Sequence, residues 1–155
     1  MTKEIWLREE ADTENLGRRI GTYLHEGGCV ALYGDLGTGK SVIARGIGLS
    51  LGIDHIGSPT FTILQRYTTH PVFYHIDAYR LSSADELFDA GFADCLTEKA
   101  ILAVEWADLV EEALPQRRLN ISLFGSGCGP RKAVLSCPDT YLPPEFFSAL
   151  TEKCL

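Results

Sequence analysis

An α/β fold with a central, mainly parallel sheet is the class this 155-residue sequence predicts, and three observations predict it. The first is an apolar run, Cys29-Val30-Ala31-Leu32-Tyr33, which reads as a buried strand. It passes directly into Gly34-Asp35-Leu36-Gly37-Thr38-Gly39-Lys40-Ser41 and then into a helical stretch. Strand, glycine-rich loop and helix in this order, with G-x-x-x-x-G-K-[ST] met at every specified position, make a phosphate-binding loop. The second is a pair of apolar strands, 72–76 and 100–104, that deliver Asp77 and Glu105 at their carboxyl ends. In open sheets of parallel strands, ligands gather beyond those ends. The third is the period-two alternation of 119–124 and 133–137 around a glycine-rich loop at 125–130, which reads as a C-terminal antiparallel hairpin. Together they predict a single domain over 1–155: a P-loop NTPase whose sheet is flanked by helices.

The elements follow in order. Residues 4–8 form a candidate edge strand, and Asp12 or Thr13 can cap a helix with Leu16, Ile20, Tyr23 and Leu24 on one face. Gly27-Gly28 ends it before the strand at 29–33. The helix opening at Lys40 runs to Gly52, and Gly46 and Gly48 weaken it intrinsically, so packing must hold it. Ser58-Pro59-Thr60-Phe61 is a loop, because Pro59 pushes Ser58 out of helical geometry, and a strand follows from Phe61 to Tyr67. Ser83-x-x-Glu86 is a capping box before a short helix ended by Gly91. Residues 107–114 read as a helix stopped by Pro115, and Pro143-Pro144 precedes a last helix through Phe146, Phe147 and Leu150.

Composition narrows the function classes. No apolar run reaches the ~20 residues of a membrane span, and no signal-peptide core follows Met1, so a cytoplasmic protein is expected. Five scattered cysteines and four histidines lack metal-ligand spacing and read as reduced thiols and ordinary side chains. A formal net charge of −7 disfavours direct RNA binding, the basic pairs Arg117-Arg118 and Arg131-Lys132 being read as solvated surface.

The loop carries the chemistry. Backbone amides of Asp35, Leu36, Gly37, Thr38 and Gly39 are placed to cradle phosphates, with the positive end of the following helix dipole behind them. Lys40 sits across the β- and γ-phosphates, and the Ser41 hydroxyl ligates Mg²⁺. Asp77 and Glu105 supply two strand-end carboxylates, one for the metal and one for its outer shell or the attacking water, an assignment spacing leaves open. Thr60 is either a turn residue or a sensor of Mg²⁺ and the γ-phosphate. Trp106 is either core or a stacking surface. His75 faces a neighbouring side chain and is assigned no chemistry.

The phosphate loop, Ser58-Pro59-Thr60-Phe61, His75-Ile76-Asp77-Ala78-Tyr79-Arg80-Leu81 and Glu105-Trp106-Ala107-Asp108 together resemble the TsaE (YjeE) family of bacterial P-loop ATPases, over roughly residues 5 to 137. The resemblance implies weak Mg²⁺-dependent ATP hydrolysis in tRNA threonylcarbamoyladenosine synthesis. It also implies action with the partner proteins TsaB and TsaD, which carry the transferase site, so that tRNA is met only through the complex. Carried over by position, Lys40, Ser41, Thr60, Asp77, Glu105 and Trp106 match the family's site residues. Ala107 stands where many members have proline, and Gly91-Phe92-Ala93-Asp94 is a loose match. A small-molecule kinase is the alternative, with Arg117, Arg118 and Arg131 as candidate lid arginines, but no acceptor-site pattern accompanies them. A GTP switch lacks its N-K-x-D motif.

Overall fold

The computed structural model describes residues 1–57 and 62–150. Seven strands, β1 (Thr2–Leu7), β2 (Gly28–Tyr33), β3 (Leu64–Tyr67), β4 (Val72–Asp77), β5 (Ala100–Glu105), β6 (Leu119–Phe124) and β7 (Arg131–Ser136), make one sheet in the order β1-β7-β6-β2-β5-β4-β3. The helices are α1 (Glu10–Tyr23), α2 (Lys40–Ser50), α3 (Ala84–Asp89), α4 (Phe92–Cys95) and α5 (Pro144–Ser148). The sheet is more mixed than the sequence suggests. Its centre, β6-β2-β5-β4, is parallel, while β7 and β1 on one side and β3 on the other pair antiparallel. β2 and β5 are buried on both faces because both are covered, whereas β6 and β7 alternate.

Alternation within each strand sorts the core into two layers. Val30, Leu32, Phe73, Ile101 and Ala103 pack with Leu16 and Ile20 of α1, Ile43 and Ile47 of α2, and Phe146 of α5. Ala31, Tyr74, Ile76, Leu102 and Val104 pack on the other face with Leu87 of α3, Phe92 of α4, Val110 and Ala113. By the same alternation, His75 and Asp77 follow Phe73, and Glu105 follows Ala103, onto the α1/α2 face. The strand-end carboxylates therefore point towards the helix that the phosphate loop opens.

Four local expectations change. Residues 107–114 form two 3-10 turns, Ala107–Leu109 and Glu111–Ala113, rather than an α-helix. Ala107, Val110, Ala113 and Leu114 are the buried positions, and each turn closes with a bond of the 3-10 type, Val110 N–H to the Ala107 carbonyl and Leu114 N–H to the Glu111 carbonyl, both at 3.1 Å. The predicted box at Ser83 is made by its neighbour: Ser82 Oγ donates to Glu86 Oε1 at 2.5 Å, while Ser83 is the N-cap residue without a side-chain cap bond. At α1 the N-cap is Glu9, and Asp12 instead accepts the Arg8 backbone N–H at 2.8 Å. β3 begins at Leu64, three residues later than the sequence suggests.

Helices α1 and α2 cross backbone to backbone. A Cβ at Gly46 would lie 2.2 Å from the Glu14 carbonyl oxygen and 2.9 Å from Gly17 Cα. Arg45 closes the crossing, donating from Nε to Glu14 at 2.8 Å and from Nη2 to Glu10 at 2.7 Å. Gly48 differs, since a Cβ there would meet the tip of the Ile56 side chain, which can turn aside. Gly46→Ala should lower stability by about 1–3 kcal/mol in urea titration, despite alanine's better helix propensity. Gly48→Ala should cost clearly less, and equal costs would show that the crossing is not set by backbone contact.

Candidate functional site

Residues 34–39 turn the chain from β2 into α2 under tight backbone constraint. Gly39, the N-cap residue of α2, has φ 106°, a left-handed value that favours glycine. At Gly34 a Cβ would meet Thr38 Oγ1 at 2.6 Å and the Leu123 carbonyl oxygen at 2.8 Å, so β6 leaves no room for a side chain. Thr38 Oγ1 donates to the Asp35 carbonyl at 2.9 Å. Lys40, only 4% exposed, donates from Nζ to the carbonyls of Gly34 at 2.6 Å and Asp35 at 2.7 Å. The loop thus curls around its own lysine.

The strand ends meet the start of α2. Asp77 and Glu105 are register partners on β4 and β5. Ser41 Oγ donates to Glu105 Oε1 at 2.9 Å, and Glu105 Oε2 lies 2.5 Å from His75 Nε2. Asp77 Oδ1 accepts the Tyr79 backbone N–H at 3.0 Å, which leaves its carboxylate at the cleft. Trp106 follows Glu105 with φ 56°. That left-handed residue swings the indole over the loop, where Lys40 Nζ sits 4.1 Å above the ring and Tyr79 packs at 4.9 Å. Trp106 is half-buried and belongs to the cleft wall, where sequence alone left core and surface open.

These groups line a cleft of about 690 Å³ together with Leu36, Gly37, Thr38 and Gly39. That volume lies within the usual range for a small-molecule ligand. Asp35 contributes its carbonyl to Lys40. Thr60, with Ser58, Pro59 and Phe61, lies outside the described residues. The remaining predicted site residues converge on one end of the sheet.

Two residues that sequence reasoning passed over complete the arrangement. His75 reaches Glu105; the sequence signals for it are its place two residues before Asp77 on the same strand face and its position at the head of the H-x-D-x-Y-R-L run. Arg131, read as solvated or as a lid arginine, instead ties two loops together. Its guanidinium donates to the carbonyls of Thr38 at 3.0 Å and Gly37 at 3.1 Å, and to those of Gly127 at 2.6 Å and Gly129 at 2.7 Å. No local pattern predicts a bond between residues 93 apart in the chain.

The donor set suits a magnesium ion shared with a phosphate. Among the described residues no three His, Cys, Asp or Glu side chains are grouped to hold a metal by themselves. Mg²⁺ is ordinarily held by one or two carboxylates plus substrate phosphates rather than by a protein cage. One hydroxyl in contact with one carboxylate, with a second carboxylate as register partner, meets that description. Electrostatics point the same way. Burial pushes the Lys40 ammonium below the ordinary lysine range, while Glu105, Asp35, Asp77 and Asp108 counter that shift. Burial also raises the Asp77 carboxyl, opposed by the Tyr79 N–H and assisted by Glu105.

A carboxyl with a raised folded-state pKa binds its proton more readily folded than unfolded. The stability it costs is absent below the ordinary aspartate range and fully present once pH exceeds the folded value. Asp77→Asn keeps an oxygen for the Tyr79 N–H. Without divalent cations it should raise Tm at pH 7, by a gain that shrinks as the pH falls. A gain independent of pH would contradict the burial origin.

With this geometry in place, comparison with known proteins is decisive. The model of the family described as "Threonylcarbamoyl adenosine biosynthesis protein TsaE" matches residues 7–132. The TsaE protein of Treponema pallidum is 39% identical over 130 residues, covering 83% of this chain and 96% of the relative. That of Bacillus subtilis is 37% identical over 123 residues, covering 78% and 77%. The crystal structure of Bacillus subtilis YdiB superimposes with a TM-score of 0.68 at 32% identity, covering 91% of this chain and 90% of that one. The matched span runs from the end of β1 to the start of β7 and contains every group described above, and on these grounds the chain belongs to the TsaE family.

Proposed function

We propose that this chain is the ATP-binding and ATP-hydrolysing subunit of the bacterial tRNA threonylcarbamoyladenosine machinery, acting on a TsaB–TsaD transferase complex that it resets between turnovers. The observation that carries the reading is the Ser41–Glu105 contact beside Lys40: a loop hydroxyl, a buried strand-end carboxylate and a buried ammonium share one cleft. The family's name supports the pathway, and the donor set supports ATP with Mg²⁺.

The reaction is transfer of the γ-phosphoryl group to water. Water attacks the γ-phosphorus, the bond to the β–γ bridging oxygen breaks, and ADP and inorganic phosphate leave. Lys40 turns its ammonium from the Gly34 and Asp35 carbonyls to the β/γ-phosphate oxygens, where it offsets developing charge. The loop amides of 35–39 and the N-terminus of α2 bind the remaining oxygens. Ser41 and one of the two carboxylates, Glu105 or Asp77, would hold Mg²⁺, which would supply neutralisation of phosphate charge there. Of the two carboxylates, the one not on the metal orients the water. Thr60 reports the γ-phosphate, and Trp106 with Leu36 closes over the nucleotide.

Arg131, the arginine of this cleft, has its guanidinium engaged by four carbonyls, so it does not act as an arginine finger. A slow enzyme completed by its partners fits that arrangement. Among the described residues no helix is long and apolar enough to cross a membrane.

Phosphate release from ATP should be slow for the protein alone and rise when the TsaB–TsaD pair is added, and Lys40→Ala should reduce both by about 100-fold or more. Turnover that ignores the pair and starts only with a metabolite acceptor would replace this reading with a kinase. Since Lys40 Nζ lies over the Trp106 ring, ATP should also change Trp106 emission in a Trp6→Phe background. Unchanged emission at saturating ATP would mean that Lys40 stays on its carbonyls.

A further inference from the structure

His75 is not used by the mechanism above, yet it is 1% exposed and contacts the carboxylate on which the site converges. Its Nδ1 is the one buried side-chain nitrogen or oxygen without a hydrogen-bond partner among the described residues. The two facts select a tautomer. A proton on Nδ1 would leave a buried N–H unsatisfied and would turn the Nε2 lone pair against the Glu105 carboxylate. A proton on Nε2 instead satisfies the donor and one carboxylate oxygen together. The ring lies near-parallel to that of Phe73, with centroids 6.4 Å apart and an interplanar angle of 9°. His75 is therefore a buried donor directed at Glu105.

We infer that His75 is a positioning residue for Glu105, resting on the reading of Glu105 as a metal- or water-supporting carboxylate. By donating from Nε2 to Oε2, it prevents rotation of the carboxylate and reserves Oε1 for Ser41 and whatever Ser41 helps to hold. The sequence spacing follows from sheet geometry. His75 and Ala103 are register partners, so Glu105 stands two residues beyond the histidine on the neighbouring parallel strand, on the same face. In metal sites, the residue that orients a ligating carboxylate typically matters by 10–100-fold.

Two substitutions separate direction from bulk. The side-chain amide nitrogen of glutamine extends to about where Nε2 lies, whereas that of asparagine stops near Nδ1. In the presence of the TsaB–TsaD pair, His75→Gln should stay within about threefold of the unmodified protein in kcat and in Mg²⁺ half-saturation. His75→Asn should raise the Mg²⁺ half-saturation or lower kcat by about 10–100-fold. Its metal-free ATP affinity, read from Trp106 emission, should change by less than about threefold. Equal behaviour of the two variants would overturn the inference, because a purely space-filling role would not favour glutamine.

A second readout needs neither activity nor metal. Long-range ¹H–¹⁵N correlation spectra of the metal-free, nucleotide-free protein should show His75 as the Nε2–H tautomer. The Nδ1–H tautomer would overturn the inference even if a variant fails to fold. Glu105→Gln, measured in parallel, tests the parent reading: unchanged turnover there would remove the role of Glu105 itself, while the spectrum still decides whether His75 holds it.

Discussion

A carboxylate buried to 4% exposure at the end of a central strand is the constraint on which the site depends. An ionised group taken from water costs several kcal/mol unless charges and donors around it compensate. Glu105 meets that demand from three directions: Ser41 from the helix, His75 from the neighbouring strand, and the charge of Lys40 from the loop. Removing any one would leave the others poorly satisfied. The phosphate loop, the helix start and the two strands are therefore held in one arrangement by the requirements of a single group.

That arrangement needs α2 seated closely on α1. The Gly17–Gly46 crossing lets the two backbones touch, and Arg45 pins it through Glu10 and Glu14. Since Lys40 and Ser41 are the first two residues of α2, this packing sets where the ammonium and the hydroxyl stand relative to the strand ends. On the opposite side of the loop Arg131 does corresponding work, holding the Gly37 and Thr38 carbonyls against the 125–130 loop. The hairpin is thus part of the site's scaffold.

The lysine and the serine both have partners within the protein: carbonyls for one, Glu105 for the other. Under the proposed function, a phosphate would exchange those bonds for stronger charge-assisted ones, so the net gain would be smaller than the new contacts alone suggest.

Much of this was legible in the chain. The phosphate loop is a local pattern, because its glycines and lysine serve the conformation and charge of one short segment. Asp77 and Glu105 were visible because each ends an apolar run, and family membership was visible in motifs spread over most of the chain. What sequence could not supply was contact between distant segments. Reading 107–114 as one helix missed the break at Val110, where two short turns meet in place of one continuous helix. The antiparallel pairing of β7 with β6 was expected as a hairpin, whereas that of β1 and β3 was not, since strand direction at the edges is set by how the chain returns to the sheet. Arg131 and His75 acquire roles only through partners elsewhere in the fold. The sequence by itself determined the glycine-rich loop, its lysine and the strand-end carboxylates as the candidates for phosphate chemistry, since each is marked by a local pattern. Tertiary structure alone decided which groups hold those in place, since a buried charge takes its partners from whatever the fold brings beside it.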